Sequence, residues 1–317
     1  RDSSTSRGLG DVYKRQMQCY ALSHELMVRY PQHQVDVIDF EYLHKHNSYR
    51  AAMRQFPFGI EYYFCYNRFQ SDLKRLPLSS KSFITDRTDE LCDYIDKHYD
   101  IVIVGSDAVW TYQGKMPVDN PYWLFGNKLR NVIKMSYAAS AFSSRFDEIP
   151  LEERELIKNR LSEFYYIGVR DEVTKSFVES LELGITVYLN HDPTIFLQPA
   201  TDVKIAKMTL RKNFVFNNKE SVSFMTRELP KIDKLRGELA EQYNLLHFYR
   251  RDRYKADLLD NRCRFMNNVS PYEWYNLYGQ MKLNITNFFH GACLGIINHV
   301  PTIVVDDFEQ SYMSKDA

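Results

Sequence analysis

The sequence predicts an α/β protein of two domains, each with a mostly parallel β-sheet covered by helices. Short apolar runs rich in β-branched residues alternate along the chain with segments whose apolar residues recur at helical spacing. One segment with two prolines, DPTIFLQPATD at 192–202, interrupts this alternation and predicts a domain boundary near residue 198. The chain has 317 residues, which is enough for two domains of roughly 100 to 200 residues each.

The apolar runs are typical of strands in a parallel sheet, because strands covered on both faces need no polar alternation. A strand is also expected at YYIGV, directly before Arg170, and residues 213–216 are expected to begin the strands of the second domain. The other predicted strands are 35–40, 101–104, 132–138, 185–189, 283–286 and 302–305.

Helical patterns lie between these strands. Parallel strands need crossover connections, and helices usually supply them. The predicted architecture is therefore two Rossmann-like domains facing a cleft, formed by residues 17–197 and 198–317. The predicted helices are 87–98, 152–164 and 232–243.

The two ends of the chain are expected to differ from the rest. Residues 1–16, RDSSTSRGLGDVYKRQ, show neither helix nor strand periodicity and resemble translated adaptor sequence, so we expect a non-native segment there. The native chain is then expected to begin near Met17. The C-terminal domain is expected to be incomplete, because the chain stops shortly after a predicted strand.

Composition excludes several classes of protein. Lys plus Arg and Asp plus Glu both number 41, and the resulting net charge of zero disfavours a nucleic-acid binder. No apolar run reaches the 18 or more residues of a membrane-spanning helix. The five cysteines form no CxxC pair, which argues against disulfides and structural zinc and favours a reducing cytoplasm. The GxGxxG, GxxxxGK[ST], GxSxG and HExxH motifs are absent.

The run IVIVGSDAVW at 101–110 is a candidate site because it is a buried strand that breaks at Gly105. The break puts Ser106 and Asp107 at the carboxyl end of the strand, where ligands bind in open α/β sheets. Asp107 is suited to orienting or deprotonating a hydroxyl, and Trp110 to stacking on a sugar ring. The alternative is that Asp107 only caps the next helix.

Two further strand ends carry charged residues. Arg170 follows one strand, and its planar guanidinium suits a carboxylate or phosphate ligand. The alternative is a salt bridge between Arg170 and a neighbouring acid. Asp192 follows the strand at 185–189 and is a candidate for substrate binding or for holding the loop between the domains.

The segment LNITNFFHGACLGIINHVPTIVVD at 283–306 reads as strand, His-Gly, apolar helix and strand. His290 is expected at the N-terminus of the helix, where free N–H groups and the dipole favour an anion. Thr286 and Gly291 flank it and are candidates for ligand contact. A structural histidine is the alternative.

Basic and aromatic residues concentrate at 245–255 and 262–264. Such a segment suits an anionic donor or a lipid-linked phosphate, and a solvated basic loop is the alternative.

In this order and spacing, the elements GSDAVW, SYAASAF, VRDE, DPTIF and TNFFHG resemble the polysaccharide pyruvyl transferase family, over roughly residues 17 to 310. The resemblance implies a glycosyltransferase B fold, with the first strand of the N-terminal domain expected to be replaced by the segment 1–16. It also implies transfer of enolpyruvate from phosphoenolpyruvate to two hydroxyls of a sugar, which gives a pyruvate ketal and phosphate. The acceptor is expected to be a cell-surface polysaccharide precursor or a lipid-linked sugar, handled in the cytoplasm or at the inner face of the membrane.

By the same resemblance, Arg170 is expected to hold the donor, His290 to act in proton transfer or phosphate binding, and Asp107 to act on the acceptor. No metal and no organic cofactor is expected. The chain departs from the family pattern at Ala108, Thr111 and Phe288, which affects the expected acceptor. Two alternatives are a nucleotide-sugar glycosyltransferase on the same fold and a non-catalytic sugar-binding relative.

Overall fold

The computed structural model describes residues 9–54, 59–112, 121–124, 129–141, 144, 146–226, 233–248, 263–266 and 268–305. It contains parallel sheets with helices between their strands, as the alternating pattern predicts. The helices are α1 (Leu9–Arg29), α2 (Leu43–Met53), α3 (Gly59–Leu73), α4 (Asp89–His98), α5 (Leu151–Leu161), α6 (Glu172–Glu179), α7 (Val203–Lys212), α8 (Asp233–Gln242), α9 (Pro271–Tyr278) and α10 (Phe289–Ile297). The strands are β1 (Val37–Glu41), β2 (Leu78–Ile84), β3 (Ile101–Val104), β4 (Ile133–Ala139), β5 (Phe164–Val169), β6 (Val187–Leu189), β7 (Ser221–Met225), β8 (Asn244–His247), β9 (Cys263–Phe265), β10 (Met281–Thr286) and β11 (Thr302–Val304).

The chain folds into two compact units. The first contains the described parts of Asp36–Asn47 and Leu78–Pro193, and the second contains the described parts of Ser6–Val35, Ser48–Pro77 and Thr194–Ala317. Each unit has its own parallel sheet and its own buried apolar cluster.

In the first unit, β3, β4, β5 and β6 form a parallel sheet in chain order, and β1 pairs with β2 in a second parallel sheet. Helix α4 buries Leu91, Cys92 and Ile95, which recur at helical spacing, in the same cluster as Ile167 of β5. The carboxyl ends of β3 to β6 therefore lie along one edge of the sheet.

In the second unit, the strand order is β11-β10-β7-β8-β9. Strands β8 and β9 extend the sheet on one side of β7, and β10 and β11 extend it on the other. The order reverses between β7 and β10, and ligands bind at such reversals in open parallel sheets. Helix α10 follows β10 directly and begins at this edge.

The structure corrects several details of the sequence prediction. Residues 213–216 end α7 and form a turn, and the next strand begins only at Ser221. The helix predicted at 152–164 ends at Leu161, and Phe164 already belongs to β5. The sequence did not predict β2, β8 or β9, which are short or carry polar residues.

The division of the chain also differs from the predicted domains. The predicted domain 17–197 includes α1 and α3, whereas both helices contact α9 of the second unit. The physical reason is apolar burial, because Met17 and Ala21 on α1 lie in the cluster around α9. Residues 9–16, predicted to lie outside the fold, form the start of α1, and Gln16 is buried.

Candidate active site at the strand ends

Four strand ends of the first unit bring polar residues together. Asp107 follows β3, Ser140 follows β4, Arg170 follows β5 and Asp192 follows β6. Backbone bonds tie the ends to one another: the N–H of Ser140 donates to the carbonyl of Asp107 over 2.9 Å, and that of Arg170 donates to the carbonyl of Ala139 over 2.9 Å. Asp107, Arg170 and Asp192, each predicted from a different strand, thus form one cluster.

Arg170 lies between two carboxylates. Its Nη1 donates to Oδ2 of Asp192 over 3.1 Å, and its Nη2 lies 3.6 Å from Oδ1 of Asp107. The side chains are 14% exposed for Arg170, 7% for Asp107 and 4% for Asp192. The guanidinium of Arg170 therefore links two buried carboxylates that follow different strands. The salt bridge considered as the alternative for Arg170 is therefore present, and binding of the donor by Arg170 stays a prediction.

Asp107 has a backbone conformation that is unusual for its residue type, with φ at +88°. Its carbonyl accepts from the N–H groups of Val109 and Ser140, which holds the turn after β3 against the end of β4. Residues 108–112 form turns and not a helix, so the predicted alternative of a helix cap at Asp107 is wrong.

Gly105 is required by its surroundings. Its φ is +123°, and a Cβ added there would lie 2.1 Å from the carbonyl oxygen of Tyr137. Only glycine allows the chain to turn this close to β4. The hydroxyl oxygen of the next residue, Ser106, is buried and has no hydrogen-bond partner among the described residues.

Trp110 is part of the core, and the prediction that it stacks on a sugar ring is wrong. It is 1% exposed, and its ring stacks on that of Trp123 at 5.4 Å. Its indole Nε1 donates to the carbonyl of Tyr122 over 2.9 Å, which satisfies the polar atom of the buried ring.

Asp171 and Ser140 support the cluster, and sequence reasoning gave neither a role. Asp171 Oδ1 accepts from the N–H of Thr174 over 2.8 Å and so caps α6. Its Oδ2 accepts from the hydroxyl of Ser140 over 2.6 Å, which joins the ends of β4 and β5. The spacing of Asp171 and Thr174 at the start of a helical pattern is the signal that could have identified the cap.

A second polar group follows β1 and β2 in the same unit. Nδ1 of His44 lies 2.7 Å from Oδ1 of Asp86, and Nδ1 of His46 lies 2.9 Å from Oε2 of Glu41. Burial raises the pKa of Asp86, but hydrogen bonds and charge from His44 lower it more, so that it lies below the usual value. The sequence analysis did not single out these residues, and Asp86 comes from a different segment than His44, 42 residues away.

His290 lies in the first turn of α10, as predicted, and is 5% exposed. The turn is built by Thr286, whose Oγ1 accepts from the N–H of Phe288 over 3.0 Å. A Cβ on Gly291 would lie 2.6 Å from that same Oγ1, so the glycine lets α10 approach β10 closely. The structure places these three predicted residues together, and their roles toward a ligand stay predictions.

His247 ends β8 in the second unit, in a segment that was interpreted as a basic loop. It is buried, and its Nδ1 lies 2.7 Å from the carbonyl oxygen of Phe224. The apolar residues Leu245 and Leu246 before it are what could have indicated a strand. Residues 249–262, which hold most of the predicted basic cluster, lie outside the described residues.

Neither a metal centre nor a membrane span is found in the part of the chain that the structure describes. In these residues, no group of three or more His, Cys, Asp or Glu side chains is arranged to hold a metal ion. Across the same residues, none of the helices combines the length and apolar character needed to cross a bilayer.

Two Rossmann-like domains with parallel sheets place the protein in the glycosyltransferase B fold class. The sequence model of the polysaccharide pyruvyl transferase family matches residues 10–307, nearly the whole chain. The protein belongs to this family, which confirms the resemblance of its motifs.

Two solved structures are similar to this chain at low sequence identity. The crystal structure of a Listeria monocytogenes protein assigned as a UDP-N-acetylglucosamine 2-epimerase has a TM-score of 0.51 and 12% identity, over 94% of this chain and 76% of that one. The E. coli ADP-heptose LPS heptosyltransferase II has a TM-score of 0.45 and 11% identity, over 91% of this chain and 80% of that one. Among curated protein sequences, none matches this chain significantly.

Proposed function

We propose that the protein transfers enolpyruvate from phosphoenolpyruvate to two hydroxyls of a saccharide, and forms a pyruvate ketal. Membership of the polysaccharide pyruvyl transferase family supports a transferase acting on a saccharide. The observation that carries the proposal is the cluster in which Arg170 lies between Asp107 and Asp192 at the carboxyl ends of β3, β5 and β6.

The chemistry sets clear requirements for the site. Two C–O bonds form between sugar hydroxyls and C2 of the donor, and the bond from C2 to the phosphate oxygen breaks. The methylene carbon takes up one proton and becomes a methyl group. The two hydroxyls release two protons. One equals the proton taken up by the methylene carbon, and the other leaves with phosphate. Such a site needs a base near the hydroxyls, an acid near the methylene carbon, and donors for the phosphate.

Asp107 supplies the base in this proposal. It is buried, and the neighbouring guanidinium of Arg170, 3.6 Å away, holds its carboxylate in a fixed orientation. Arg170 also holds Asp192, so it acts first as a positioning residue for the two carboxylates. Charged carboxylates accept hydrogen bonds from sugar hydroxyls, and Ser106 brings a further hydroxyl to the same turn.

In the second unit, we assign an acid and an anion-binding role to His290 and the start of α10. The first N–H groups of a helix have no partner within the helix, and the helix dipole favours negative charge there. The N-terminal residue Phe288 makes no side-chain cap. We assign phosphate binding to these N–H groups and to Gly291, and proton transfer to His290.

The proposed reaction needs no metal and no organic cofactor, because side chains and backbone amides supply the acid, the base and the anion donors. The donor and the sugar are both polar. The proposal puts the reaction in the cytoplasm, where phosphoenolpyruvate is made, with a lipid-linked or soluble polysaccharide precursor as acceptor.

The test is incubation of the chain with phosphoenolpyruvate and a panel of free, nucleotide-linked and lipid-linked sugars, followed by assay of phosphate. We expect phosphate release that depends on one class of acceptor, with an equal amount of ketal on that acceptor by mass spectrometry. Phosphoenolpyruvate alone is expected to raise the unfolding temperature, because it binds only the folded state.

Variants at Asp107 give the control for this experiment. Asp107→Asn is expected to abolish release, whereas Asp147→Asn, at an acid in a short 3-10 helix outside the cluster, is expected to keep it. Stabilisation by a nucleotide sugar but not by phosphoenolpyruvate, together with transfer of the glycosyl group, would replace this proposal with glycosyl transfer.

A further inference from the structure

The segment from α7 to the start of β7 is strongly basic. Residues 203–220 contain five Lys or Arg residues and a single acidic residue, Glu220, at the end, whereas the whole chain has 41 of each sign. The positive charge of this segment is therefore a local feature of the second unit and not a consequence of composition.

The charge faces solvent. Helix α7 buries Ala206 and Thr209 toward the core, and Lys204, Lys207 and Arg211 lie on the opposite, exposed face at helical spacing. None of these three cations has an ion-pair partner among the described residues. Lys212, in contrast, pairs with Glu273.

Exposed aromatic residues follow directly. Helix α7 ends in a turn in which the N–H of Phe214 donates to the carbonyl of Arg211 over 3.0 Å, and that of Val215 to the carbonyl of Leu210 over 3.0 Å. Phe214 has φ at +62°, a position that glycine normally fills in this turn. Val215 is buried, whereas Phe214 and Phe216 are each 72% exposed. The turn thus holds two phenyl rings in water.

We propose that these side chains attach the protein to the surface of bilayers that contain anionic lipids. The α7 surface consists of the exposed side chains of Lys204, Lys207, Met208, Arg211, Phe214 and Phe216. Its cations match anionic headgroups, and its rings gain free energy by entering the apolar boundary beneath them. This inference goes beyond the proposed reaction and does not rest on it.

An anionic lipid surface is the partner that explains both the cations and the exposed apolar side chains of the α7 surface. A nucleic acid would match the cations and could stack on the rings, but it would leave Met208 in water, where it is 61% exposed. Met208 lies on the exposed face of α7 between Lys204 and Arg211 and adds flexible apolar area that suits a lipid boundary.

The test is sedimentation of the full chain with vesicles of phosphatidylcholine alone and with an equal mixture of phosphatidylcholine and phosphatidylglycerol. We expect binding to the mixed vesicles only. Single replacements Lys204→Ala, Lys207→Ala and Arg211→Ala are each expected to lower the partition coefficient about five-fold.

The sharpest variant is Phe214→Gly, which removes a ring and puts the favoured residue in the turn. Its partition coefficient is expected to fall about ten-fold while its unfolding temperature stays level or rises, so weaker binding cannot come from unfolding. Tyr165→Ala is the matched control, because Tyr165 is an aromatic residue of the first unit that is 78% exposed.

Three results would overturn the proposal. One is absence of the wild-type chain from the mixed vesicle pellet. Another is unchanged binding of both Phe214→Gly and Phe216→Ala, which would leave charge elsewhere on the chain as the cause. The last is a pair of results: polyuridylate displaces the protein from vesicles, and the protein binds this polymer directly only when the rings of Phe214 and Phe216 are both present. That pair of results would make the α7 surface a nucleic-acid site.

Discussion

Arg170 donates from Nη1 to Oδ2 of Asp192 over 3.1 Å, and the two residues follow the adjacent parallel strands β5 and β6. Neighbouring strands in a parallel sheet end at the same edge, so residues just beyond them lie within hydrogen-bond reach of each other. Asp107, beyond β3, completes the group at 3.6 Å from the same guanidinium. The edge of one sheet therefore collects the charges from three distant segments of the chain.

Arg170→Lys tests the planar guanidinium that links the two carboxylates. A lysine has a single ammonium and cannot reach Asp107 and Asp192 in the geometry of the fork. We expect kcat/KM for phosphate release to fall about 100-fold, the cost of losing one oriented group in a site of this kind. Arg87→Lys, at an exposed position outside the cluster, is the control and should retain full activity. Equal activity of both variants would remove Arg170 from the proposed site.

His290→Gln tests proton transfer at the start of α10. Glutamine keeps a polar side chain of similar length but cannot transfer a proton, so kcat is expected to fall about 10² to 10⁴-fold. His33→Gln, at an exposed histidine, should leave kcat unchanged. A rise in KM with unchanged kcat would assign His290 to ground-state binding of the donor and would contradict its role in proton transfer.

The convergence of Asp107, Arg170 and Asp192 could be predicted, because each stands after a recognisable apolar strand and parallel strands end together. The strand at 101–104 was predicted with the bounds that the structure shows. Its composition explains why, since four consecutive Ile and Val residues favour a strand. The expected burial is wrong for most of the strand, because only Val104 is buried.

The role of Trp110 could not be predicted from its own segment. Its burial depends on stacking with Trp123, from a later segment, and on the carbonyl of Tyr122. The prediction of a strand at 213–216 is wrong, although Phe214, Val215 and Phe216 are residue types common in strands. The structure shows instead that the backbone hydrogen bonds of a helix-ending turn decide their conformation. Glycine usually marks such a turn in a sequence, and here Phe214 occupies its position.

Gly105→Ala tests the close approach of the turn after β3 to β4. A methyl group there would meet the carbonyl oxygen of Tyr137 at 2.1 Å, and the φ of +123° is strained for alanine. Gly184→Ala is the matched control, because φ is +72° and nothing lies within 4 Å of the added methyl group. We expect Gly184→Ala to cost about 1 to 2 kcal/mol from backbone strain. Gly105→Ala should cost at least about 1 to 3 kcal/mol more from overpacking, as measured by urea denaturation. Equal costs would mean that the turn moves freely away from β4.

Lys212→Met tests the ion pair between α7 and the first turn of α9. Burial lowers the pKa of Lys212 below 10.5, and the hydrogen bond and charge of Glu273 offset part of that shift. The unfolded chain therefore binds more protons than the folded chain as pH rises through the folded pKa toward 10.5, and the contribution of Lys212 to stability becomes more favourable. We expect the free energy of unfolding of the wild type, relative to that of Lys212→Met, to increase over this alkaline range.

Lys204→Met, on the exposed face of the same helix, controls for loss of one positive charge. A difference between wild type and Lys212→Met that stays constant with pH would show that burial does not shift the proton equilibrium of Lys212.

Trp110→Phe separates a core residue from a sugar-stacking one. The replacement keeps an aromatic ring but removes the indole N–H, so the buried carbonyl of Tyr122 loses its donor and the stack on Trp123 becomes smaller. We expect the free energy of unfolding to fall by about 1 to 3 kcal/mol, and the KM for the acceptor to stay within about two-fold, a margin below 1 kcal/mol in binding. Trp123→Phe, at the other ring of the stack, is the control. Its indole N–H has no hydrogen-bond partner among the described residues, so we expect a smaller loss of stability with the same KM. A higher KM with unchanged stability in Trp110→Phe, together with an unchanged KM in Trp123→Phe, would contradict this expectation. Trp110 would then be a ligand-binding residue that becomes exposed when the acceptor binds.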